Sequence, residues 1–323
     1  HRLGMCPVNI ENPATFDPNK YKFILNVQNT GTKTINVTTK DIEIIDKDTN
    51  TSLDTSIFFK ENDITKNHIL LIKLKSNPGG EGEKINIEAQ ARIGNGRLNS
   101  RFSPVSCVTY SNKIDQSKFE VALNKYIEEQ KVKIPNMNEE EESKAKNHFT
   151  ISESERYFMT DKNDRPSVFE YTIESIGVIP SHIILIKAVE LLFLKIKQFL
   201  VNFDEAVKSN TNEFVKIRKS TGLMDSMDII IENENHTLGY LLQSYMEILH
   251  KNNIEFVAYR NPHPLKNFIE INIKAENNDI NQIKNIVFST CNSIIEIIKN
   301  IKSLTEAEFK IQKPKKKLII KKK

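Results

Sequence analysis

Two stretches of the chain repeat the same order of an alternating strand, a turn and a long helix. The first stretch alternates apolar and polar residues over 168–174 and continues into a predicted helix over 181–202. The second stretch alternates over 267–274 and continues into a predicted helix over 280–304. Alternation with a period of two indicates a half-buried strand, and apolar residues three and four apart indicate one face of a helix. We therefore interpret the two stretches as related units.

The second unit is preceded by a predicted strand over 227–232 and by a helix from Leu238 to about His250, for which Thr237 is placed as the N-cap. One face of this helix carries an apolar stripe that consists of Leu238, Leu241, Leu242, Tyr245 and Leu249. Gly239 lies beside the stripe. A glycine inside a helix costs about 1 kcal/mol relative to alanine and usually has a packing reason. We expect Gly239 to allow another helix to approach closely.

The remaining segments differ in character. Residues 21–110 contain short β-type runs separated by Asn-, Asp-, Gly- and Pro-rich turns, which predicts a mostly antiparallel β domain. Residues 130–154 include the acidic run 139–142 and few apolar residues, which predicts a solvated, mobile loop that few contacts cross. The polar residues 208–213 predict a linker.

Composition and charge restrict the function classes. The 323 residues, 38% of them hydrophobic, are enough for two or three domains with apolar cores. The chain has 46 Lys and Arg against 42 Asp and Glu, but seven lysines lie within 313–323, and without them 39 basic residues remain. A slightly acidic body argues against a broad phosphate-binding groove. We interpret the basic tail as a solvated end, with phosphate contact as the second interpretation and a nuclear address as the third.

The cysteines indicate a reducing compartment. Cys6, Cys107 and Cys291 lie far apart and form no Cys-x-x-Cys pair, so the sequence predicts neither a disulfide framework nor a thiolate metal site.

The most apolar stretch, 183–200, contains three lysines and a glutamate, which would be costly at bilayer depth. The first residues lack the apolar run of a signal peptide. We expect a soluble, intracellular protein without a transmembrane helix.

No motif indicates an active site. His236 and His263 are the first candidates for a catalyst or a metal ligand, but no second histidine or carboxylate cluster accompanies either of them. We expect structural roles for both, at a helix entry and in a proline-flanked turn. The run that begins at Gly94 starts like a dinucleotide fingerprint, but Asn99 stands in place of the third glycine and a β segment follows. The sequence therefore predicts no catalytic residue, no cofactor and no metal.

Several segments resemble one known family. Asn-His-Thr-Leu-Gly-Tyr-Leu-Leu at 235–242, Phe-Val-Ala-Tyr-Arg at 256–260 and Pro-His-Pro-Leu at 262–265 together resemble the small alpha-like subunit of cellular RNA polymerases. His-Arg-Leu-Gly-Met at 1–5 and the region from Ala91 to Val105 are similar to the larger alpha-like subunit. The chain therefore resembles a fusion of both subunits, as expected in the polymerases of large DNA viruses. Its Lys-, Asn- and Ile-rich composition suits an AT-rich genome of that kind.

The resemblance implies an α+β fold of two RNA polymerase alpha-type dimerisation halves, packed through their long helices, with the mostly antiparallel β domain inserted in the first half. The expected segments are the start of the first half (1–20), the β domain (21–112), the rest of the first half with the acidic loop (113–205), the linker (206–226), the second half (227–310) and the basic tail (311–323). By the resemblance, a strand and a helix that complete the first half should lie upstream of His1. We expect that this piece was either removed from the chain or is carried on a separate polypeptide. Relatives often hold a cysteine-bound metal in the β domain, but no Cys lies between Cys6 and Cys107, so we expect that domain to rest on apolar packing.

The implied function is that of a non-catalytic assembly platform in a DNA-dependent RNA polymerase. The implied partners are the second-largest subunit, the largest subunit and small zinc-binding polymerase subunits, with DNA contacted only through the complex and no membrane. The implied dimerisation interface consists of Thr237, Leu238, Gly239, Leu241, Leu242, Tyr245, Ile183 and Ile186. The implied docking surface for the large subunits consists of Arg92, Gly94, Gly96, Arg97, Phe102 and Ser103, with a plain hairpin loop as the alternative.

The expected location is a viral factory in the host cytoplasm or the virion, with the host nucleus as an alternative. A different function, that of a free-standing nucleic-acid-binding transcription factor, would rest on the basic tail. The slightly acidic body weighs against it. An enzyme would need a recognisable arrangement of polar catalytic residues, and the sequence shows no such arrangement.

Overall fold

The computed structural model describes residues 1–311 apart from residues 11, 210, 211, 221, 223, 224 and 278. The described residues form two compact units, one over residues 1–181 and one that begins at His182. Helices and strands both contribute, and each pair of neighbouring described strands is antiparallel. This mixture agrees with the predicted α+β class. The basic tail 313–323 lies outside the described residues.

The first unit contains the expected β domain. Its strands are β1 (Tyr21–Gln28), β2 (Ile35–Thr38), β3 (Glu43–Asp46), β4 (Thr51–Leu53), β5 (Leu70–Leu74) and β6 (Lys84–Ala89). Four of them form a sheet in the order β4-β3-β1-β6, and β2 pairs with β5. The core between them is apolar, and the ring of Phe58 lies 5.0 Å from that of Tyr21 and 5.7 Å from that of Phe23. Aromatic packing of this kind holds a small β domain together.

The other elements of the first unit come before and after this β domain in the chain. A short helix, α1 (Arg2–Met5), precedes it, and a two-stranded ribbon of β7 (Val105–Asn112) and β8 (Phe169–Ser175) follows it. Between the two ribbon strands the chain forms the helices α2 (Gln116–Lys133) and α3 (Glu139–Glu153).

The prediction of a mobile loop over 130–154 is wrong, because α2 and α3 pack against each other as a helical hairpin. The ring of Phe149 lies 4.7 Å from that of Tyr126 and 5.8 Å from that of Phe119. Asn138 and Glu141 form a capping box at the start of α3, where the acidic run 139–142 also complements the helix dipole. The low apolar content misled the prediction, since a few large rings supply most of the packing.

The second unit is a four-stranded sheet covered by long helices. Its elements are α4 (Ser181–Ser209), β9 (Val215–Lys219), β10 (Met227–Glu232), α5 (His236–Leu249), β11 (Ile254–Arg260), β12 (Phe268–Ala275) and α6 (Ile280–Ile311). The sheet order is β11-β12-β10-β9. Inward-facing isoleucines of β10 and β12 meet apolar residues of α4, α5 and α6 in one continuous core. Because strand side chains alternate, the other face of the sheet is free for polar residues.

The predicted boundary between the halves also needs correction. Helix α4 continues beyond Asn202 to Ser209, because Phe203 and Ala206 are buried in the core. Within the expected linker over 206–226, β9 pairs with β10, and Val215 is buried. Asn210 and Thr211 lie outside the described residues. The polar residues 208–213 thus lie between two packed elements, α4 and β9. This connection is shorter than the expected linker over 206–226. Helix α6 also extends past the expected end near Leu304, to Ile311.

Candidate subunit interfaces

Helix α5 is capped at its N-terminus and buried on one face. Asn235, rather than Thr237, caps it, because the Oδ1 atom of Asn235 accepts a hydrogen bond of 3.0 Å from the backbone N–H of Thr237. On the inner face, Leu238 and Leu242 are fully buried in the core. Thr237 is exposed in the first turn. The helix is therefore a core element with one solvent-exposed side.

Gly239 faces a strand and not a helix, which corrects the prediction of a close helix contact. A Cβ atom at Gly239 would lie 2.5 Å from Cδ2 of Tyr259 in β11. The Tyr259 backbone N–H donates a 2.9 Å hydrogen bond to Oε1 of Gln243, and its hydroxyl lies 3.3 Å from Nδ1 of His236. The ring therefore lies flat against α5 where the glycine leaves room. His236 lies at the start of α5, and its contact with the Tyr259 hydroxyl agrees with the expected structural role, which stays a prediction.

The outer face of the sheet carries a charge network that sequence reasoning missed. The carboxylates of Asp228 in β10 and Glu270 in β12 are nearly buried, and Arg218 of β9 bridges them at 3.4 and 3.2 Å. Arg260 of β11 adds a second contact to Glu270 at 2.7 Å. Buried carboxylates need such partners, since an unpaired charge would be costly to remove from water. The signal was available, because all four residues occupy outward positions of alternating strands.

Part of this sheet and two of its helices match a known domain. Residues 226–304 match the family model of the RNA polymerase Rpb3/Rpb11 dimerisation domain. The matched range runs from the start of β10 into α6 and includes α5, β11 and β12. The match supports an RNA polymerase alpha-like subunit. A comparison with curated proteins finds no match for the chain.

Helix α4 lies along the dimerisation domain, antiparallel to α6. Three contacts define this direction, because the start of α4 lies beside the end of α6 and the end of α4 lies beside the start of α6. The first, from His182 to Phe309, has a ring separation of 4.9 Å. The others are salt bridges of 2.6 Å, from Glu190 to Lys302 and from Asp204 to Lys284. The two lysines beside Asp204, Lys208 and Lys284, lower the pKa of its carboxyl group.

Helix α4 has apolar residues on more than one face. Ile196, Phe199 and Phe203 are buried in the core that it shares with the dimerisation domain. Leu191 and Leu194 are instead 67% and 58% exposed. The predicted interface residues Ile183 and Ile186 are half-buried on this helix, whereas Leu241 and Tyr245 are half-buried against the core from α5. The apolar surface of α4 therefore extends beyond the face that packs in the core.

The predicted docking residues lie together in the first unit. A Cβ atom at Gly94 would lie 2.5 Å from the ring of Phe102, and one at Gly96 would lie 3.6 Å from Cβ of Ser103. The glycines therefore allow the segment to fold tightly over Phe102 and Ser103. Arg92 and Arg97 are exposed. Gly94 thus packs against Phe102 and Gly96 against Ser103, and Arg92 and Arg97 are exposed in the same segment of the first unit.

A cavity of about 400 Å³ lies beside this segment. The segment 1–10, the segment 89–104 and residues 176–179 line it, mostly with apolar side chains. Burial raises the pKa of the Cys6 thiol, although Arg2 opposes that effect. The guanidinium of Arg101 lies 5.0 Å from the ring centre of Phe102. The two N-terminal segments that carry the resemblance to the larger alpha-like subunit therefore meet around one cavity.

The remaining candidates are His263 and the buried Cys291. Within the described residues, no three His, Cys, Asp or Glu side chains are grouped closely enough to hold a metal ion. Nδ1 of His263 accepts a 3.1 Å hydrogen bond from the backbone N–H of Leu265, as in a turn. Burial raises the pKa of Cys291 to about 12, so this thiol stays protonated. A membrane-spanning helix is likewise not found in the part of the chain that the structure describes.

Proposed function

We propose that this chain is a non-catalytic assembly subunit of a DNA-directed RNA polymerase that joins both alpha-like halves in one polypeptide. The observation that carries the proposal is the match of residues 226–304 to the Rpb3/Rpb11 dimerisation domain. These residues belong to a compact unit with its own core, so the match covers a folded domain and not an isolated motif.

The arrangement of α4 supports the fusion. Strand β8 followed by α4 has the same order as β12 followed by α6. Helix α4 lies antiparallel to α6 and contributes Phe199 and Phe203 to the core of the dimerisation domain. Two strand-helix units whose long helices pack together form the kind of pair that two alpha-like partners would make. In this chain the covalent connection would raise the effective concentration of one unit for the other.

The proposed partners are the second-largest and largest polymerase subunits, with small zinc-binding subunits bound beside them. The exposed segment around Arg92 and Arg97 supports this assignment, because loops held by a rigid scaffold commonly carry contacts with partners. Catalysis and DNA contact would belong to the large subunits. The Lys-, Asn- and Ile-rich composition supports a viral source, and we therefore place the protein in a viral factory or virion, with the host nucleus as an alternative.

The test is affinity purification of the tagged chain from its natural source, followed by identification of the proteins that remain in stoichiometric amounts. We expect both large polymerase subunits. The matched variant is a chain shortened at Ile311, which lacks the basic tail and should retain the same proteins. Retention of nucleic acid without polymerase subunits, lost in the shortened chain, would favour the free-standing transcription factor instead.

A further inference from the structure

The surface around the cavity of the first unit has a one-sided charge. The residues that line the cavity include Arg92 and Arg101 and no aspartate or glutamate, and Arg2 and Arg97 lie in the same segments of the chain. All four arginines are exposed. The chain without its tail is slightly acidic, so this surface departs from the charge of the molecule as a whole. A local excess of one charge attracts a partner of the opposite charge.

The cavity itself is apolar. Leu3, Ile93 and Ile179 contribute to its wall, and Ile93 is 48% exposed. Its volume of about 400 Å³ lies in the range of about 300–1,000 Å³ that is common for ligand pockets. Arg92 and Arg101 also line it. A partner that fits must therefore combine an apolar group for the cavity with negative charge for the arginines.

We propose that this arginine-rimmed cavity binds a short acidic segment of another polymerase subunit, which inserts one large apolar side chain between Arg92 and Arg101. The inference rests on the proposed assembly function, because the partner is a subunit of the same complex. Carboxylates on both sides of the inserted residue pair with the rim arginines, whose planar guanidinium groups match carboxylate geometry. The inserted side chain supplies most of the affinity, and the charges supply the specificity.

Nucleic acid fits this surface less well. Proteins that bind single strands present exposed aromatic rings on which bases stack. The ring of Phe102 is half-buried, with Gly94 packed closely against it and the guanidinium of Arg101 nearby. Arg92 and Arg101 could pair with a phosphate group, but the mostly apolar wall of the cavity would then remain unfilled. The combination of an apolar cavity and an arginine rim therefore favours a protein segment.

The experiment is photo-cross-linking within the assembled complex. Ile93 is replaced by a benzoyl-phenylalanine, the tagged full-length chain is purified from its source with its bound subunits, and the cross-linked peptide is sequenced after irradiation. We expect a peptide from a polymerase subunit with at least two carboxylates next to a large apolar residue. A cross-link to nucleic acid, or to a peptide without carboxylates, would overturn the inference.

Charge variants of the same cross-linking chain test the arginine rim. Arg92→Glu with Arg101→Glu should lower the cross-link yield on the order of tenfold, whereas Arg92→Lys with Arg101→Lys should retain most of it. The matched control is Lys60→Glu with Lys73→Glu, which reverses two exposed charges of the β domain and should leave the yield unchanged. Equal yields in the arginine and lysine reversals would contradict the proposal. Thermal melting of each purified variant shows whether it has folded. If a charge reversal does not fold, the cross-linking chain that retains Arg92 and Arg101 still tests the cavity.

The outcomes separate the two proposals. If the large subunits copurify but Ile93 gives no cross-link to any polymerase subunit, the cavity inference is wrong and the assembly function stands. If the large subunits do not copurify with the unaltered chain, the assembly function fails and the inference fails with it.

Discussion

At Gly239 the absence of a single carbon atom determines how α5 meets β11. An added Cβ atom would lie 2.5 Å from Cδ2 of Tyr259, closer than side-chain carbons normally approach. The Tyr259 ring cannot move freely, because its backbone N–H is bonded to Gln243 and its hydroxyl lies near His236. The glycine therefore loses helix propensity and gains a close helix-strand contact in exchange.

We predict that Gly239→Ala destabilises the protein by about 1–3 kcal/mol through overpacking, whereas alanine at an unconstrained helix position stabilises by about 0.5–1 kcal/mol. Gly239→Leu should have a larger effect and expose apolar surface. The measurement is the free energy of unfolding in urea. The control is the same substitution in a Tyr259→Ala background, where the penalty should disappear. A penalty that persists there, or a stabilised Gly239→Ala protein, would contradict the contact with Tyr259.

At the scale of elements, the α2-α3 hairpin depends on few contacts. Beside its aromatic cluster, Glu142 joins the two helices, because its carboxylate lies 2.8 Å from Lys131 of α2 and 2.8 Å from Lys146 of α3. Hydrogen bonds from these two lysines lower the pKa of Glu142 from 4.5 to about 2. The folded hairpin therefore favours the ionised form.

This shift predicts that protonation of Glu142 loosens the hairpin in acid. A lowered pKa in the folded state gives a stabilising contribution that is complete above pH 4.5 and is lost as the pH falls toward about 2. The measurement is amide hydrogen exchange in α2 and α3 at pH 6 and pH 3, corrected for intrinsic rates. Glu142→Gln should lower the protection at pH 6 and reduce its pH dependence.

The matched control is Glu140→Gln, which changes a more exposed carboxylate of the same turn that pairs with Lys144 alone. Exposed pairs of this kind contribute little, so protection should change less than in Glu142→Gln. Equal loss of protection in both variants would show that the charge of the whole acidic run, and not the bridge through Glu142, holds the hairpin.

At the scale of the whole molecule, the long helices of the two strand-helix units, α4 and α6, pack against each other. Helix α4, with 29 residues and a length of roughly 43 Å, contributes Ile196, Phe199 and Phe203 to the core of the dimerisation domain. Such a surface should hold two separate chains together. The connection between α4 and β9 would then act mainly through effective concentration.

We predict that cleavage at a protease site inserted between Asn210 and Thr211 leaves the two fragments associated. They should elute together in size-exclusion chromatography at micromolar concentration and separate only on dilution. The matched variant carries Phe199→Ala and Phe203→Ala, each expected to cost about 3–5 kcal/mol in packing, and its fragments should separate at higher concentration. Wild-type fragments that separate without aggregating would mean that the two halves are independent domains.

We also predict that the purified chain holds no stoichiometric zinc. Structural zinc needs deprotonated ligands at close spacing, whereas the three cysteines are far apart in sequence and the Cys291 thiol is held protonated by burial. Elemental analysis should find much less than one metal ion per chain, and a chelator should leave the melting temperature unchanged. One zinc per chain, or a lower melting temperature after chelation, would show that the first unit rests on more than apolar packing.

Periodicity was sufficient to predict the elements with regular patterns. The predicted strands over 227–232 and 267–274 correspond to β10 and β12, and the predicted helices over 181–202 and 280–304 correspond to α4 and α6. These features succeed because a period of 2 or 3.6 residues reports burial through the local chain geometry alone.

Other features depend on residues that are distant in sequence. The acidic run 139–142 has the composition of a loop, yet α3 folds because Phe149 finds Phe119 and Tyr126. Val215 and its neighbours have the composition of a linker until they pair with β10. The partner of Gly239 is a ring on a strand that follows the helix, and no pattern within the helix reveals it. Such contacts form only when separate segments pack together. Their stabilising free energy depends on both surfaces, so the pattern of one segment alone does not reveal it.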